Sequence, residues 1–177
     1  MDFDTYARSK YADYEALART MAGMLRAAID ATPDDYRLQQ VQQRAKDPDS
    51  LRKKLEDRGI PETTTLEADI KDLAGCRLIF YTNTDVSRFL SSGIIQGNFD
   101  VDWDRTKVHH PVPGQTEPDN LFMSYNYVVK LKADRTALPE YARFAGLYCE
   151  VQVQTTLNHA WAENSVKVPL FIGDQRF

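Results

Sequence analysis

The sequence predicts an α+β (or α/β) protein in which a mixed sheet of about five strands is flanked by helices. Residues 4–31 repeat apolar side chains at three- and four-residue spacing, which is typical of an amphipathic helix. Residues 123–132 and 147–155 alternate apolar and polar side chains, which is typical of strands with one buried face. Short helix signals alternate with strand signals between them, and this order favours a helix-covered sheet over a bundle or a sandwich.

Composition indicates an ordinary globular protein. The chain has 177 residues, of which 42% are hydrophobic and 27% charged, with a formal net charge of −4. This length suits one domain. The apolar runs are short and the first residues are acidic, so we expect a cytoplasmic protein with no membrane span and no secretory signal. The negative net charge argues against broad, nonspecific binding to nucleic acid, although local clusters of Lys and Arg can still hold phosphates.

The two cysteines, Cys76 and Cys149, both fall in predicted strands. Buried thiols are the ordinary role for such residues. A disulfide framework is not indicated, and two cysteines are too few for a zinc-finger type of metal site.

The first helix ends before Pro33, and a Gln-rich segment over 36–46 follows that fits either a helix or a strand. If the segment is extended, Arg44 and Lys46 project from the same face. Two cations on one face repel each other, which favours an anion between them. A solvated basic edge is the alternative.

A short helix over 51–58 is predicted next, with Asp49 or Ser50 as its cap and Gly59 at its end. Arg52, Lys53 and Lys54 lie near its positive N-terminal end, an arrangement suited to phosphate oxygens, although charged short helices are usually only solvated.

Residues 76–81 read as a buried strand that contains a charged side chain, Arg77. A buried guanidinium needs an anionic partner. Asp72 and a ligand phosphate are the two candidates.

Thr84 or Asp85 caps a further short helix, and a half-exposed strand follows over 99–104. The aspartates of this strand predict an acidic edge that resists aggregation, with a metal site as the alternative. Residues 105–121, which include Lys107, predict a long loop, and loops of this length are commonly functional.

Polar residues accumulate where the last strand passes into a helix. Glu150 and Gln152 share one face of the strand at 147–155, and His159 and Glu163 lie four residues apart on the helix that follows. This stretch therefore delivers two carboxylates and an imidazole. An antiparallel strand with a wetted outer face is the alternative.

Four motifs follow one another along residues 36–165. They are Arg44-Ala45-Lys46 with Ser50 and Lys53, Asp72 to Arg77, Phe122 to Asn126, and Glu150 to Thr155 followed by His159 to Glu163. Together they resemble the RelA/SpoT-type nucleotidyltransferase domain, and in particular the small alarmone synthetases and their toxic relatives.

The resemblance implies a single synthetase domain over 1–177, with an N-terminal helix over 4–31 and a catalytic core over 36–168. The family's last helix is longer than the one that Pro169 interrupts here, which suggests a missing C-terminal segment.

The resemblance also implies an activity: transfer of the pyrophosphate of ATP to the 3′-hydroxyl of GDP or GTP, giving (p)ppGpp and AMP. Asp72 and Glu150 match the Mg²⁺ positions of the family and, with Arg77, are the expected catalytic residues. The positions expected to bind ATP are Arg44, Lys46, Ser50, Lys53 and Arg77. The positions expected to bind the acceptor are Lys107, Phe122, Ser124, Asn126, Gln152 and His159.

Phe122 and Asn126 stand where the family commonly has a guanine-stacking Tyr and a His. Two alternatives therefore stay open beside GDP or GTP. One is a toxin relative, with or without an antitoxin partner, that modifies adenine nucleotides or the 3′ end of tRNA. The other is an inactive nucleotide-binding regulator. The sequence does not decide between a monomer and a homo-oligomer.

Overall fold

A computed structural model describes residues 1–33, 35–109 and 124–165, with the side chains of His109 and of residues 161–165 left out of the description. The strands are β1 Leu38–Ala45, β2 Ala74–Phe80, β3 Phe99–His109, β4 Ser124–Leu131 and β5 Cys149–Thr155. The α-helices are α1 Phe3–Thr5, α2 Tyr11–Asp30, α3 Pro48–Arg58, α4 Leu66–Asp69, α5 Asn83–Ser91, α6 Ile94–Asn98, α7 Ala133–Thr136 and α8 Thr156–Ser165. A π-helical turn at Tyr6–Lys10 joins α1 to α2, and a 3₁₀ turn at Ala142–Phe144 precedes β5.

The five strands form one mixed sheet in the order β1-β2-β5-β4-β3. Strand β2 is parallel to β5, and the other neighbouring pairs are antiparallel. The predicted fold class is thereby confirmed. The Gln-rich segment proves to be a strand at one edge of the sheet, and the aspartate-containing strand β3 lies at the other edge, as predicted.

Helix α2 covers one face of the sheet and forms the core with it. The side chains of Tyr14, Leu17, Met21 and Leu25 are fully buried, which confirms the predicted amphipathic helix. The thiol of Cys76 donates a hydrogen bond of 3.2 Å to the carbonyl oxygen of Ala18 on this helix. Burying each such large apolar side chain contributes roughly 1.5–3 kcal/mol to folding.

The opposite face of the sheet is polar. Directly opposed residues on neighbouring strands share a face, and the strand register places two rows of side chains there. The first row runs Gln42, Arg77, Gln152, Asn126, Lys107. The second row runs Arg44, Gly75, Glu150, Val128. Residues from five strands therefore meet on one surface.

Two helices begin earlier than predicted. Asp47, not Asp49 or Ser50, caps α3, because its Oδ1 accepts a hydrogen bond of 2.9 Å from the amide of Ser50. Pro48 occupies the first turn, where its missing N–H has no cost. Likewise Thr82, not Thr84 or Asp85, caps α5 by accepting from the amide of Asp85.

Strand β3 is longer than predicted, because residues 105–109 continue it; the rest of the predicted loop lies outside the described residues. Its register with β4 shifts between Asp102 and Lys107. In this bulge the hydroxyl of Thr106 donates to the carbonyl of Asp102 and accepts from the amide of Val128. The bulge redirects the side chains that follow it.

Among the described helices, none combines the length and the apolar character needed to cross a bilayer. Cys76 and Cys149 are free, buried thiols with their sulfur atoms 3.7 Å apart, on adjacent strands β2 and β5. The hydrogen bond to Cys76 and burial raise the pKa of the Cys149 thiol.

Candidate active site

Two carboxylates meet at the same end of the parallel pair β2–β5. Asp72 lies two residues before β2, and Glu150 is the second residue of β5, where it is opposite Gly75. Burial raises the pKa of Glu150, and the negative charge of Asp72 contributes to the rise. The two carboxylates are therefore close enough to repel each other, which is the arrangement expected of a site for a cation.

Two lysines contact Asp72. Nζ of Lys54 lies 2.7 Å from Oδ1, and Nζ of Lys46 lies 3.0 Å from Oδ2. Burial alone would raise the pKa of Asp72, but the hydrogen bonds and charges of Lys54 and Lys46 outweigh it and lower the pKa. Asp72 is thus held as a carboxylate with both oxygens engaged.

Lys54 is the lysine of α3 that contacts Asp72, whereas the family resemblance pointed to Lys53 for ATP binding. Leu51 and Leu55 set the buried face of α3, and Lys54 lies beside that face while Lys53 is exposed. The signal that separates the two lysines is the spacing from Leu51, because residues three apart on a helix are neighbours and Lys54 is three residues after Leu51.

A hydrogen-bonded chain connects the helix α8 to Glu150. Nη1 of Arg77 lies 3.1 Å from Nδ1 of His159, Nε of Arg77 donates to Oε1 of Gln152 at 3.0 Å, and Nε2 of Gln152 donates to Oε2 of Glu150 at 2.9 Å. The guanidinium has only donors, so Nδ1 of His159 is the acceptor.

Tyr6, which sequence analysis did not single out, holds the two segments that present Lys46 and Asp72. Its hydroxyl donates to the carbonyl oxygen of Lys46 at 2.6 Å and lies 3.3 Å from that of Leu73. The amide of Lys46 also donates to the Leu73 carbonyl, at 2.9 Å. Burial raises the pKa of Tyr6, so its hydroxyl stays protonated and able to donate.

Three further cations, Lys71, Arg105 and Lys107, lie close to one another, and the charge of Lys71 acts on Glu150. Nζ of Lys71 donates to the carbonyl oxygen of Arg105 at 2.7 Å. Burial lowers the pKa of Lys71, and the charges of Lys107 and Arg105 lower it further. The guanidinium of Arg105 lies over the Tyr148 ring, 5.1 Å from its centroid. Of these cations, sequence analysis named only Lys107.

The remaining site candidates are distributed as follows. Arg44 is exposed on β1 and shares the polar face with Arg77. Ser50 lies in the first turn of α3. Ser124 and Asn126 lie on β4, next to Gln154 and Gln152 of β5. Phe122 lies outside the described residues, as does the side chain of Glu163.

The donor set suits one Mg²⁺ ion. Carboxylate oxygens are the ligands that Mg²⁺ prefers, and this ion usually takes one or two from the protein and completes its shell with water and substrate phosphates. Asp72 and Glu150 supply two such carboxylates at one place. Among the described residues, no cluster of three or more His, Cys, Asp or Glu side chains forms a complete metal cage.

Comparisons with known proteins agree with this arrangement. The family model described as "Region found in RelA / SpoT proteins" matches residues 43–170. None of the curated proteins matches the chain significantly. Three solved structures of the small alarmone synthetase 1 from Bacillus subtilis are similar in fold.

The first of these shares 18% sequence identity with a TM-score of 0.66, covering 88% of this chain and 74% of the other. The structure bound to the product pppGpp shares 20% identity with a TM-score of 0.59, covering 90% and 79%. The structure bound to AMPCPP shares 19% identity with a TM-score of 0.56, covering 88% and 72%. At this identity the structures bear on the fold, whereas the family model spans all four motifs and most of the chain. The chain belongs to the RelA/SpoT family.

Proposed function

We propose that the protein is an ATP-dependent pyrophosphokinase that transfers the pyrophosphate of ATP to the 3′-hydroxyl of GDP or GTP in the cytoplasm. The observation that carries this proposal is the half-buried pair Asp72 and Glu150 at one end of β2 and β5, with the charges of Lys46, Lys54 and Lys71 around it. The proposal is supported by membership of the RelA/SpoT family and by the similar fold of a synthetase solved with pppGpp.

The reaction is a displacement at phosphorus. The 3′-oxygen of the acceptor forms a bond to the β-phosphorus of ATP, the bond from that phosphorus to the bridging oxygen breaks, and AMP leaves with that oxygen. The hydroxyl proton must go to a base. Glu150 is the candidate, because burial raises its pKa and so its affinity for the proton.

On the donor side, the cations bind and orient the triphosphate. Lys46 and Lys54 now neutralise Asp72, and both are long, flexible side chains that can transfer to phosphate oxygens when ATP arrives. Arg44 and Arg77 provide two guanidinium groups on the same sheet face. Asp72 and Glu150 would hold Mg²⁺, which when bound neutralises the charge that builds up on the phosphates.

On the acceptor side, Lys71 supplies positive charge next to Glu150, and Arg105 and Lys107 lie next to Lys71. These cations suit the 5′-phosphates of the acceptor nucleotide. His159 contacts Arg77, and Gln152 and Asn126 line the same row of the sheet as Arg77. Phe122 is the candidate for stacking on the acceptor base, an interaction worth roughly 1–3 kcal/mol, so Phe122→Ala should weaken acceptor binding by about ten- to a hundredfold.

The test is to incubate the protein with ATP labelled at the γ-phosphate and Mg²⁺, and with GDP, GTP, ATP or deacylated tRNA as separate acceptors. We expect label in a product of GDP or GTP, and much slower labelling with Glu150→Gln. Label in ATP or tRNA would assign the other acceptors. If no label is transferred to any acceptor while ATP still binds, the proposed enzymatic activity is wrong and a nucleotide-binding regulator is favoured.

A further inference from the structure

The segments that lead into β2 and β5 both contact Arg105, in the bulge of β3. Nζ of Lys71 donates a hydrogen bond of 2.7 Å to the carbonyl oxygen of Arg105. Nη2 of Arg105 donates a hydrogen bond of 2.7 Å to the carbonyl oxygen of Glu67 on α4. The guanidinium lies over the ring of Tyr148, 5.1 Å from its centroid. One residue therefore joins the segment that ends at Asp72 to the segment that enters β5.

The two carboxylates of the candidate site need such a connection. Their negative charges act on each other, and like charges held at one place repel. The ladder between β2 and β5 begins opposite Glu150, three residues after Asp72, so it fixes Glu150 and does not by itself fix Asp72. Lys71 directly precedes Asp72, and Tyr148 lies two residues before Glu150. The contacts of Arg105 therefore act beside both carboxylates.

The guanidinium of Arg105 rests on an aromatic platform. Its Nε is buried and, within the described part of the chain, has no hydrogen-bond partner. An unsatisfied buried donor is destabilising. The ring of Tyr148 offsets this cost, because its electron-rich face attracts the cation. Nζ of Lys130 lies 5.8 Å from the centroid of the same ring. The Tyr148 ring is therefore what keeps Arg105 in place at the entry of β5.

We propose that Tyr148 is a positioning residue for the metal ion, which acts through Arg105 to hold Asp72 and Glu150 at the spacing that one Mg²⁺ needs. This inference rests on the proposed function and gives a role to a residue that the proposed function does not use. Mg²⁺ demands a nearly ideal octahedral arrangement of its ligands, at about 2.0–2.1 Å. A small change in the spacing of the two carboxylates should therefore weaken its binding.

The experiment compares wild type with Tyr148→Leu, which removes the ring and leaves the charge of the site unchanged. Mn²⁺ takes the same oxygen ligands as Mg²⁺, and free Mn²⁺ is measured by electron paramagnetic resonance as the metal is added to each protein alone. The Mg²⁺ concentration that gives half-maximal pyrophosphate transfer is measured as well. We expect the Kd for Mn²⁺ and the Mg²⁺ requirement both to rise by about three- to thirtyfold. The transfer rate should recover at saturating Mg²⁺.

Arg105→Lys is the second test. It keeps the charge, but an ammonium group cannot both lie flat on the ring of Tyr148 and reach the carbonyl oxygen of Glu67. We expect the same rise in the Kd for Mn²⁺. Because this variant changes neither the ring nor the net charge, it tests the connection even if Tyr148→Leu does not fold.

Two further variants are the controls. Tyr148→Phe keeps the ring and should bind Mn²⁺ as wild type does. Tyr81→Leu makes the same chemical change at another tyrosine beneath an arginine, since Arg37 lies 5.7 Å from the centroid of the Tyr81 ring. Tyr81 follows β2, at the opposite end of the strand from Asp72. We therefore expect wild-type affinity for Mn²⁺ in Tyr81→Leu.

Three results would overturn the inference while leaving the proposed function in place. One is wild-type affinity for Mn²⁺ in Tyr148→Leu or Arg105→Lys, even with a lower melting temperature, which would make the contact purely structural. The second is an equal loss of affinity in Tyr148→Phe, and the third is an equal loss in Tyr81→Leu. If wild type shows neither Mn²⁺ binding nor pyrophosphate transfer, the proposed function and this inference both fail.

Discussion

Lys54 donates a hydrogen bond of 2.7 Å to Oδ1 of Asp72, so the carboxylate proposed for the metal is already neutralised by a side chain. Replacing Lys54 by Met removes one of the two lysine partners of Asp72. It also removes one of the cations proposed to bind the triphosphate. We expect binding of Mg²⁺-AMPCPP to weaken by about ten- to a hundredfold, since hydrogen bonds to charged groups contribute roughly 1.5–3 kcal/mol. Calorimetry measures the affinity, and the melting temperature should fall by only about 2–4 °C.

The matched control for this prediction is Lys53→Met. It makes the same chemical change one residue earlier on α3, at an exposed position. We expect wild-type affinity. Equal losses in the two variants would show that the net charge of the helix, and not the contact with Asp72, sets the affinity.

Glu150→Gln should separate activity from stability. Burial raises the pKa of Glu150, which means that the folded protein holds the ionised form at a cost. The neutral amide removes that cost and can still accept the hydrogen bond from Gln152. We expect pyrophosphate transfer to fall by about 10²–10⁴-fold while the melting temperature stays the same or rises. A variant that melts much lower than wild type but transfers at a normal rate would contradict the assignment.

Arg77 connects His159 to Gln152, and Gln152 in turn donates a hydrogen bond to Glu150. Arg77→Ala should raise the Kd for the ATP analogue much more than it lowers the melting temperature. Arg77→Lys is the sharper variant, because an ammonium group cannot direct two fixed donors in the geometry of a guanidinium. We expect it to bind weakly as well. A large loss of stability with unchanged affinity would identify Arg77 as a structural residue.

Tyr6→Phe removes the hydroxyl that lies between the carbonyls of Lys46 and Leu73. The Leu73 carbonyl keeps the amide of Lys46 as a donor, but the Lys46 carbonyl loses the hydroxyl of Tyr6. We expect a loss of about 1–3 kcal/mol in the free energy of unfolding, measured by urea denaturation. The rate of transfer should fall because Asp72 is held less firmly. Tyr11→Phe, which alters a ring in edge contact with Tyr6, is the control.

The stability that the Asp47 cap gives to helix α3 should depend on pH. The hydrogen bond from the amide of Ser50 lowers the pKa of Asp47. A lowered pKa in the folded state stabilises the protein at pH above the ordinary aspartate value of about 3.9, and the contribution is lost as the pH falls through the lowered value. Wild type should therefore melt above Asp47→Asn at pH 7, and the difference should shrink below about pH 4. A difference that stays constant down to pH 3 would contradict this.

The fold was predictable where side-chain periodicity is strong. The alternation in β4 and β5 identifies which residues face the core, and the spacing of Leu17, Met21 and Leu25 identifies α2. The Gln-rich strand β1 was ambiguous, because glutamine has no marked preference for either period. The bulge in β3 was not predictable, since it depends on Thr106 bonding to a residue of the neighbouring strand.

The candidate site was predictable in its carboxylates and not in all of its cations. Asp72, Glu150 and Arg77 stand out as charged residues among apolar strands. Lys54 was named only as one of the basic residues of its helix, because its contact with Asp72 joins residues 18 positions apart. Lys71, Arg105 and Tyr6 were missed because their contacts join residues 34, 38 and 40 or more positions apart, and no local pattern signals such contacts.

The buried thiols of Cys76 and Cys149 lie directly behind the strands that present Arg77 and Glu150. An alkylating reagent reaches them only when β2 and β5 separate from each other or from α2, since a buried thiol is inert. Their rate of modification therefore reports how often this part of the protein opens. A nucleotide bound on the other face of the same strands should slow the modification. The rate of thiol modification would then measure how much of the protein has nucleotide bound, without an added label.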